Sequence, residues 1–375
     1  MNKYMPGFVS GDKQELKMNK YIRLITGIFL LCLMTVPAIA ETTDDYRFYE
    51  LGERSAALAM EKLDFEYGDS NVACFTDAGR VLINGHTTQK AISGITHVSG
   101  FQNSDDTLFQ INRADSKPLW FYFYNKNLGK GLYLEPSERY YSMTKGEIMN
   151  LAEDGAFSKV ALVTGDIDKM LANTEDGDAA QKALGENAFS LLSISNAWAH
   201  GAPYDLMYAA SLHNHFCPGV SSGYILVKYV EENLPLTKDT SYVVVSAPTW
   251  CKEDIFPTIW DMTPGKGGVL NSVAFTSDDQ AYLTEKYGTR PAGVFVLWNE
   301  KTKTGTGLAL GFDFDSSVWT GPSWGQKISQ TVDMVENLED YEKYVTVMKK
   351  FSVDEKMLAE LKNPLNNPYA VCEMM

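Results

Sequence analysis

Two stretches of this 375-residue chain read as the same hairpin, and that repetition constrains the fold more than any other feature. Phe121-Tyr122-Phe123-Tyr124-Asn125 leads through a polar turn to Gly129-Lys130-Gly131-Leu132, and Phe295-Val296-Leu297-Trp298-Asn299 leads to Gly305-Thr306-Gly307-Leu308. Each is an aromatic strand, a glycine-containing turn and a second strand. Upstream, Cys74-Phe75-Thr76-Asp77 is echoed 177 residues later by Cys251-Lys252-Glu253-Asp254. Residues 50–60 parallel 217–227 as helices with small residues in their first turns. A duplication predicts an α+β fold of two related units packed as an intrachain pseudo-dimer. A degenerate first repeat spans 41–145 and an intact second domain spans 201–320. Residues 146–173 and 178–198 read as helical, giving a helical linker over 146–200. Residues 326–361, rich in Glu, Lys, Met and Leu, place a charged helical extension in 321–375. Two unrelated α+β domains with chance matches are the alternative.

Residues 1–40 carry a different signal. Lys20 and Arg23 precede an apolar run over 24–36, and Ala38-Ile39-Ala40 offers a small-x-small cleavage site. That run, ending at Pro37, is shorter than the roughly 20 residues a spanning helix needs. Met18-Asn19-Lys20 repeats Met1-Asn2-Lys3, which makes Met18 an alternative start. The expectation is an exported protein, secreted, periplasmic or on the cell surface. Its mature chain has no segment that would insert in a membrane. The whole chain has a formal charge of −15; cleavage after Ala40 removes five bases and two acids and lowers it to −18. Such a surface repels phosphate backbones, so nucleic acid is excluded as a partner. Cys74, Cys217, Cys251 and Cys372 remain, an even number that permits disulfides.

The densest reactive cluster is Leu212-His213-Asn214-His215-Phe216-Cys217-Pro218-Gly219. Alternation along an extended segment would put His213, His215 and Cys217 on one side, where they could share an ion. Imidazole and thiolate suit zinc or another late first-row divalent metal. Pro218 fits the first position of a helix running to about Asn233, which sets the Cys217 sulfur near a helix N-terminus that favours thiolate.

His213-x-His215-x-Cys217-Pro218-Gly219, followed by Gly223-Tyr224, resembles the H-x-H-x-C-P-G-x-x-x-G motif of the FmdE family, named for a component of formylmethanofuran dehydrogenase. Cys251-x-x-Asp254, followed by Thr263-Pro264-Gly265-Lys266-Gly267, resembles that family's second motif. The likeness covers roughly residues 205–312, with a degenerate echo in 46–135. It implies an α+β core with a metal-associated cleft and a tendency to dimerise. Carried over residue by residue, it points to His213, His215, Cys217 and Cys251 as metal ligands and to Cys217, Asp254 and Lys266 as catalytic candidates. The C-terminal four-cysteine finger of many family members is absent, since only Cys372 lies in that region. The export signal also sets this chain apart from its cytoplasmic relatives.

Three chemistries remain open: an exported metal-binding protein that carries, senses or uses its ion, a thiol enzyme with Cys217 as nucleophile, and a Cys217/Cys251 thiol–disulfide couple, with a metal or a small-molecule ligand as the partner. In the thiol enzyme, His213 or His215 would be the base and Asp254 its orienting acid. In the first repeat, Cys74 and His86 are either remnants or partners that complete the second site. His97 and His200 read as non-functional, Cys372 as a free or disulfide cysteine in a mobile tail, and Gly265-Lys266-Gly267-Gly268 as a turn. Walker, dinucleotide-fold, H-E-x-x-H, G-x-S-x-G and haem-attachment patterns are missing from the sequence.

Overall fold

A computed structural model describes residues 43–375; the export segment expected over 1–40 lies outside the described residues. The first half opens on α1 (Thr43–Leu63), with Asp44 and Asp45 in its first turn and Lys62 in its last, matching the helix dipole. It continues through β1 (Val72–Thr76), a ribbon of β2 (Leu82–Ile83) and β3 (His86–Thr87), α2 (Lys90–Ser99), β4 (Leu108–Gln110), β5 (Phe121–Asn125), β6 (Lys130–Pro136), α3 (Lys145–Met149) and β7 (Phe157–Thr164). The helices α4 (Ile167–Ala172), α5 (Thr174–Leu184), α6 (Ala188–Ala199) and α7 (Tyr204–His213) lead into the second half. There follow α8 (Pro218–Asn233), β8 (Thr240–Ser246), α9 (Ile255–Ile259), β9 (Val269–Asn271), α10 (Ser277–Tyr287), β10 (Arg290–Asn299), β11 (Thr304–Phe312), α11 (Ser323–Glu336), β12 (Val345–Asp354), α12 (Glu355–Leu361) and α13 (Pro368–Val371).

The two five-stranded sheets have one topology, which makes the chain an α+β protein of two similar units. The first runs β4-β1-β5-β6-β7 and the second β9-β8-β10-β11-β12. In each, the first pair is parallel and the remaining pairs antiparallel. The hairpins match in register as well as in type. Asn125 faces Lys130 and Asn299 faces Thr304. Asn125 Oδ1 accepts hydrogen bonds from the N–H groups of Asn127 and Leu128, and Asn299 Oδ1 accepts from those of Lys301 and Thr302. The same Asx turn closes both.

Strand register corrects one part of the repeat. Cys74 lies opposite Phe123 on β1, and the equivalent place on β8, opposite Leu297, is held by Tyr242. The Cys-x-x-Asp echo is therefore not a structural equivalence. Cys74 is a buried strand residue, whereas Cys251 lies in the loop after β8.

Each sheet is covered on both faces, which explains why β1 and β5 are buried along their whole length. Val72, Cys74, Phe121 and Phe123 pack under α1 and α2, while Phe75, Tyr122 and Tyr124 share one core with Leu191 and Ile194 of α6 and Leu206 of α7. That same core takes in Val220 and Ile225 of α8 and Val244, Phe295 and Leu308 of the second sheet. The outer face of the second sheet packs Val243, Val296 and Trp298 against Leu283, Leu358, Tyr369 and Cys372. The thiol of Cys372 is thus buried in a core, not carried on a mobile tail.

Two stretches read as helical contain strands. β7 interrupts the linker and β12 interrupts the C-terminal extension, each pairing antiparallel along the free edge of the central hairpin. Val345-Thr346-Val347, Phe351 and Val353 are β-branched or aromatic strand formers, and the backbone demand of an open sheet edge outweighs the charged composition around them.

Candidate metal centre

The two histidines and the first thiol sit on a corner between helices. His213 ends α7, Asn214 takes a left-handed conformation at φ 78°, and Cys217 returns to extended geometry at φ −140° before Pro218 starts α8. This replaces the extended, alternating segment expected from the spacing: the chain reverses at Asn214, a residue type that tolerates positive φ. Phe216, fully buried between His215 and Cys217, anchors the corner in the shared core. The helix predicted from Pro218 to about Asn233 has those limits.

The second thiol arrives from the loop after β8, where Cys251 begins a short turn, Cys251–Asp254, against the first turns of α8. Two glycines make that approach possible. A Cβ on Gly219 would lie 3.0 Å from Cys251 Cβ and 3.3 Å from its Sγ, and one on Gly223 would lie 2.7 Å from Lys252 O. These are the positions of the Cys-Pro-Gly motif and of the glycine four residues beyond it.

The donor atoms of His213, His215, Cys217 and Cys251 lie within 4.8 Å of one another. Tetrahedral zinc with bonds of about 2.0–2.3 Å spaces its donors roughly 3.3–3.8 Å apart, so the four are gathered on the scale of one ion. His213 shows the direction of the site. Its Nδ1 is 2.6 Å from Asp254 Oδ2, while its Nε2 is buried and has no hydrogen-bond partner. A carboxylate on one ring nitrogen and a bare second nitrogen is the arrangement of a metal-ligating histidine with its supporting acid. The His213 and His215 rings lie 4.3 Å apart, and Phe189 packs 5.2 Å from His215.

Electrostatics favour a charged cluster. Burial pulls His213 toward neutrality, but its bond to Asp254 and the neighbouring Cys251 outweigh it and raise the imidazole to about 9. The two thiols titrate as a pair: Cys251 is lowered by Cys217 and by both histidines, and Cys217 is raised by Cys251 and by burial. N–H groups of Val220 and Gly219 at the start of α8 act against that rise.

The other candidates fall elsewhere. Lys266 pairs with Asp261 on an exposed turn and not with the cluster. Cys74 is wholly buried, and the exposed His86 lies 3.3 Å from Asp44, so neither joins the second-half donors. His97 pairs with Glu53 at 2.6 Å and His200 with Glu336 at 2.7 Å. All four described cysteines are free thiols. Sequence reasoning passed over Lys252 and Trp250. Lys252 is wholly buried, donates to Pro248 O at 2.6 Å, pairs with Glu253 and stands 3.7 Å over the Trp250 ring. Burial lowers its ammonium to about 8 despite Glu253. Its place inside the Cys-x-x-Asp segment was a usable signal, but a lysine in a charged turn normally points outward.

No curated protein matches the chain. Residues 212–357 match the family described as FmdE, molybdenum formylmethanofuran dehydrogenase operon, a span that starts at the corner and runs through β12. The second half, with the gathered histidines and thiols, is therefore an FmdE-like domain.

Proposed function

We propose that this is an exported metal-binding protein that holds zinc or another late first-row divalent ion through His213 Nε2, His215, Cys217 and Cys251. The observation that carries the reading is the buried, unpartnered Nε2 of His213, opposite an Nδ1 fixed by Asp254. Two imidazoles and two thiolates supply a complete tetrahedral set, and an ion bound by all four would cross-link the corner to the loop after β8. Asp254 fixes the tautomer of His213, Gly219 and Gly223 admit Cys251, and the amides at the start of α8 support the Cys217 thiolate. The substrate, if the protein has one, is a small molecule. Export rests on the tripartite pattern of residues 1–40.

The test is elemental analysis together with intact mass on protein recovered from its native host. One equivalent of metal, lost in Cys217→Ala, and an N-terminus at Glu41 are expected. Metal-free protein would overturn the metal reading, and an uncleaved N-terminus the export reading. A thiol reading is favoured by one observation, the lowered Cys251 beside a raised Cys217. Of the two sulfurs Cys251 is the more accessible, since Cys217 is buried. Metal-free protein with Cys251 alkylated fastest, or with a Cys217–Cys251 disulfide, would support that reading.

A further inference from the structure

The corner that carries His213 and His215 is held from outside the FmdE-like domain. Asn112, in the first half just past β4, donates its backbone N–H to Ser211 O at 2.9 Å and its side-chain amide to Leu212 O at 3.3 Å. In return, the Asn214 side chain donates to Asn112 O at 2.6 Å. From α6, Ser190 Oγ bonds Asn214 O, and Ser193 Oγ accepts the Phe216 N–H at 3.1 Å. The neighbouring Arg113 extends the clasp by donating to Asn187 Oδ1 at the start of α6. Asn112, Ser190 and Ser193 all precede residue 212, where the family match begins. The corner's own carbonyls at Ser211, Leu212 and Asn214 are thus satisfied by other parts of the chain, and the residue they meet on is the left-handed one between the two histidines.

We propose that Asn112 and Asn214 are positioning residues of the metal centre: an asparagine clasp across the two halves that fixes the Asn214 corner and so aims His213 and His215 at Cys217 and Cys251. The proposal rests on the metal reading above. It gives the degenerate first half a task. In that half, a Cβ on Gly52 would run into Ala91 O, much as one on Gly219 would meet Cys251, so the place of the second thiol is taken by plain helix packing. With no metal-holding group among its described residues, the first half supplies the brace for the ligands of the second. Such supporting contacts are worth about 10–100-fold in metal affinity in well-studied sites.

The experiment compares the full-length wild type with Asn112→Ala/Asn214→Gly. Glycine accepts positive φ freely, so the corner keeps its backbone path while both side-chain links are lost. Zinc affinity by chelator competition is expected to fall about tenfold, and the visible spectrum of the cobalt-substituted protein to shift, because ligand geometry changes. Asn150→Ala, which loses a 2.7 Å side-chain bond to Gly146 O remote from the corner, serves as the control and should change neither. Unaltered affinity and an unaltered cobalt spectrum in the double variant would overturn the clasp while leaving the metal reading intact. A wild type that binds neither ion would overturn both. Should the double variant fail to fold, Asn112→Ala and Asn214→Asp, read in the same way, decide between these outcomes.

Discussion

At the scale of single residues, the pH behaviour of the metal-free protein separates the half-buried His213–Cys251 pair from the buried Asp77. His213, raised to about 9, contributes stability that is full below its ordinary value of 6.5 and is lost as pH rises through 9. Cys251, lowered, contributes stability that grows over the same interval toward its ordinary value of 9, so the imidazolium–thiolate pair leaves that interval nearly level. Asp77 has no such counterweight. It is fully buried at the end of β1; its Oδ1 accepts the Trp120 N–H at 3.0 Å and its Oδ2 has no partner. Burial raises it from 3.8 to about 7 against the opposing pull of the Trp120 amide and Arg113. A carboxyl raised in this way stabilises the fold fully below 3.8 and stops doing so as pH rises through about 7. Asp77→Asn, which keeps the acceptor and removes the charge, should therefore gain little over wild type near pH 4 and about 2–4 kcal/mol of stability near pH 8. Urea unfolding at the two pH values checks this, and an equal loss at both would show that the ionised carboxylate is well accommodated.

At the scale of elements, the α8 contact with the Cys251 turn is a close helix–loop packing made by two glycines with different duties. A Cβ at Gly223 meets backbone, Lys252 O at 2.7 Å, and Ile255 Cγ1 at 2.7 Å, neither of which gives way cheaply. Gly223→Ala should cost about 1–3 kcal/mol of stability whether or not metal is present. A Cβ at Gly219 presses instead on Cys251 itself. Gly219→Ala should weaken metal binding by about tenfold with a smaller effect on the metal-free melt. Thermal melts with and without zinc, paired with chelator competition, distinguish the two patterns. The glycines were legible in the sequence as spacing within a motif, because a Cys-Pro-Gly helix start has a defined geometry. The bend at Asn214 was not, since the same H-x-H-x-C spacing also fits an extended strand; the choice fell to the end of α7 and to partners about a hundred residues away. β7 and β12 were missed for a related reason. A segment such as 345–354 is decided by the open edge of β11 beside it, which no local window contains.

At the scale of the whole molecule, the central core joins both sheets through α6, α7 and α8, so neither half closes its own interior. Phe75 and Tyr122 of the first sheet and Phe295 and Leu308 of the second are packed into that one core. A fragment of residues 201–375 would expose the inner apolar faces of α7 and α8, and we expect it to melt without cooperativity and to bind a hydrophobic dye. A sharp transition with full zinc affinity would show instead that the second half folds alone. The paired hairpins, the start of α8 at Pro218 and the cluster of His213, His215 and Cys217 could be read from the residues alone, because each is written in positions close together along the chain, whereas Cys251 entered through the family resemblance. Folding in three dimensions was needed to establish that Cys74 answers to Tyr242 and not to Cys251, that Lys266 stands apart, that two strands complete the sheets, and that the first half contacts the corner of the second. Those outcomes depend on register, sheet edges and hydrogen bonds between distant segments, which come into being only when the chain is folded.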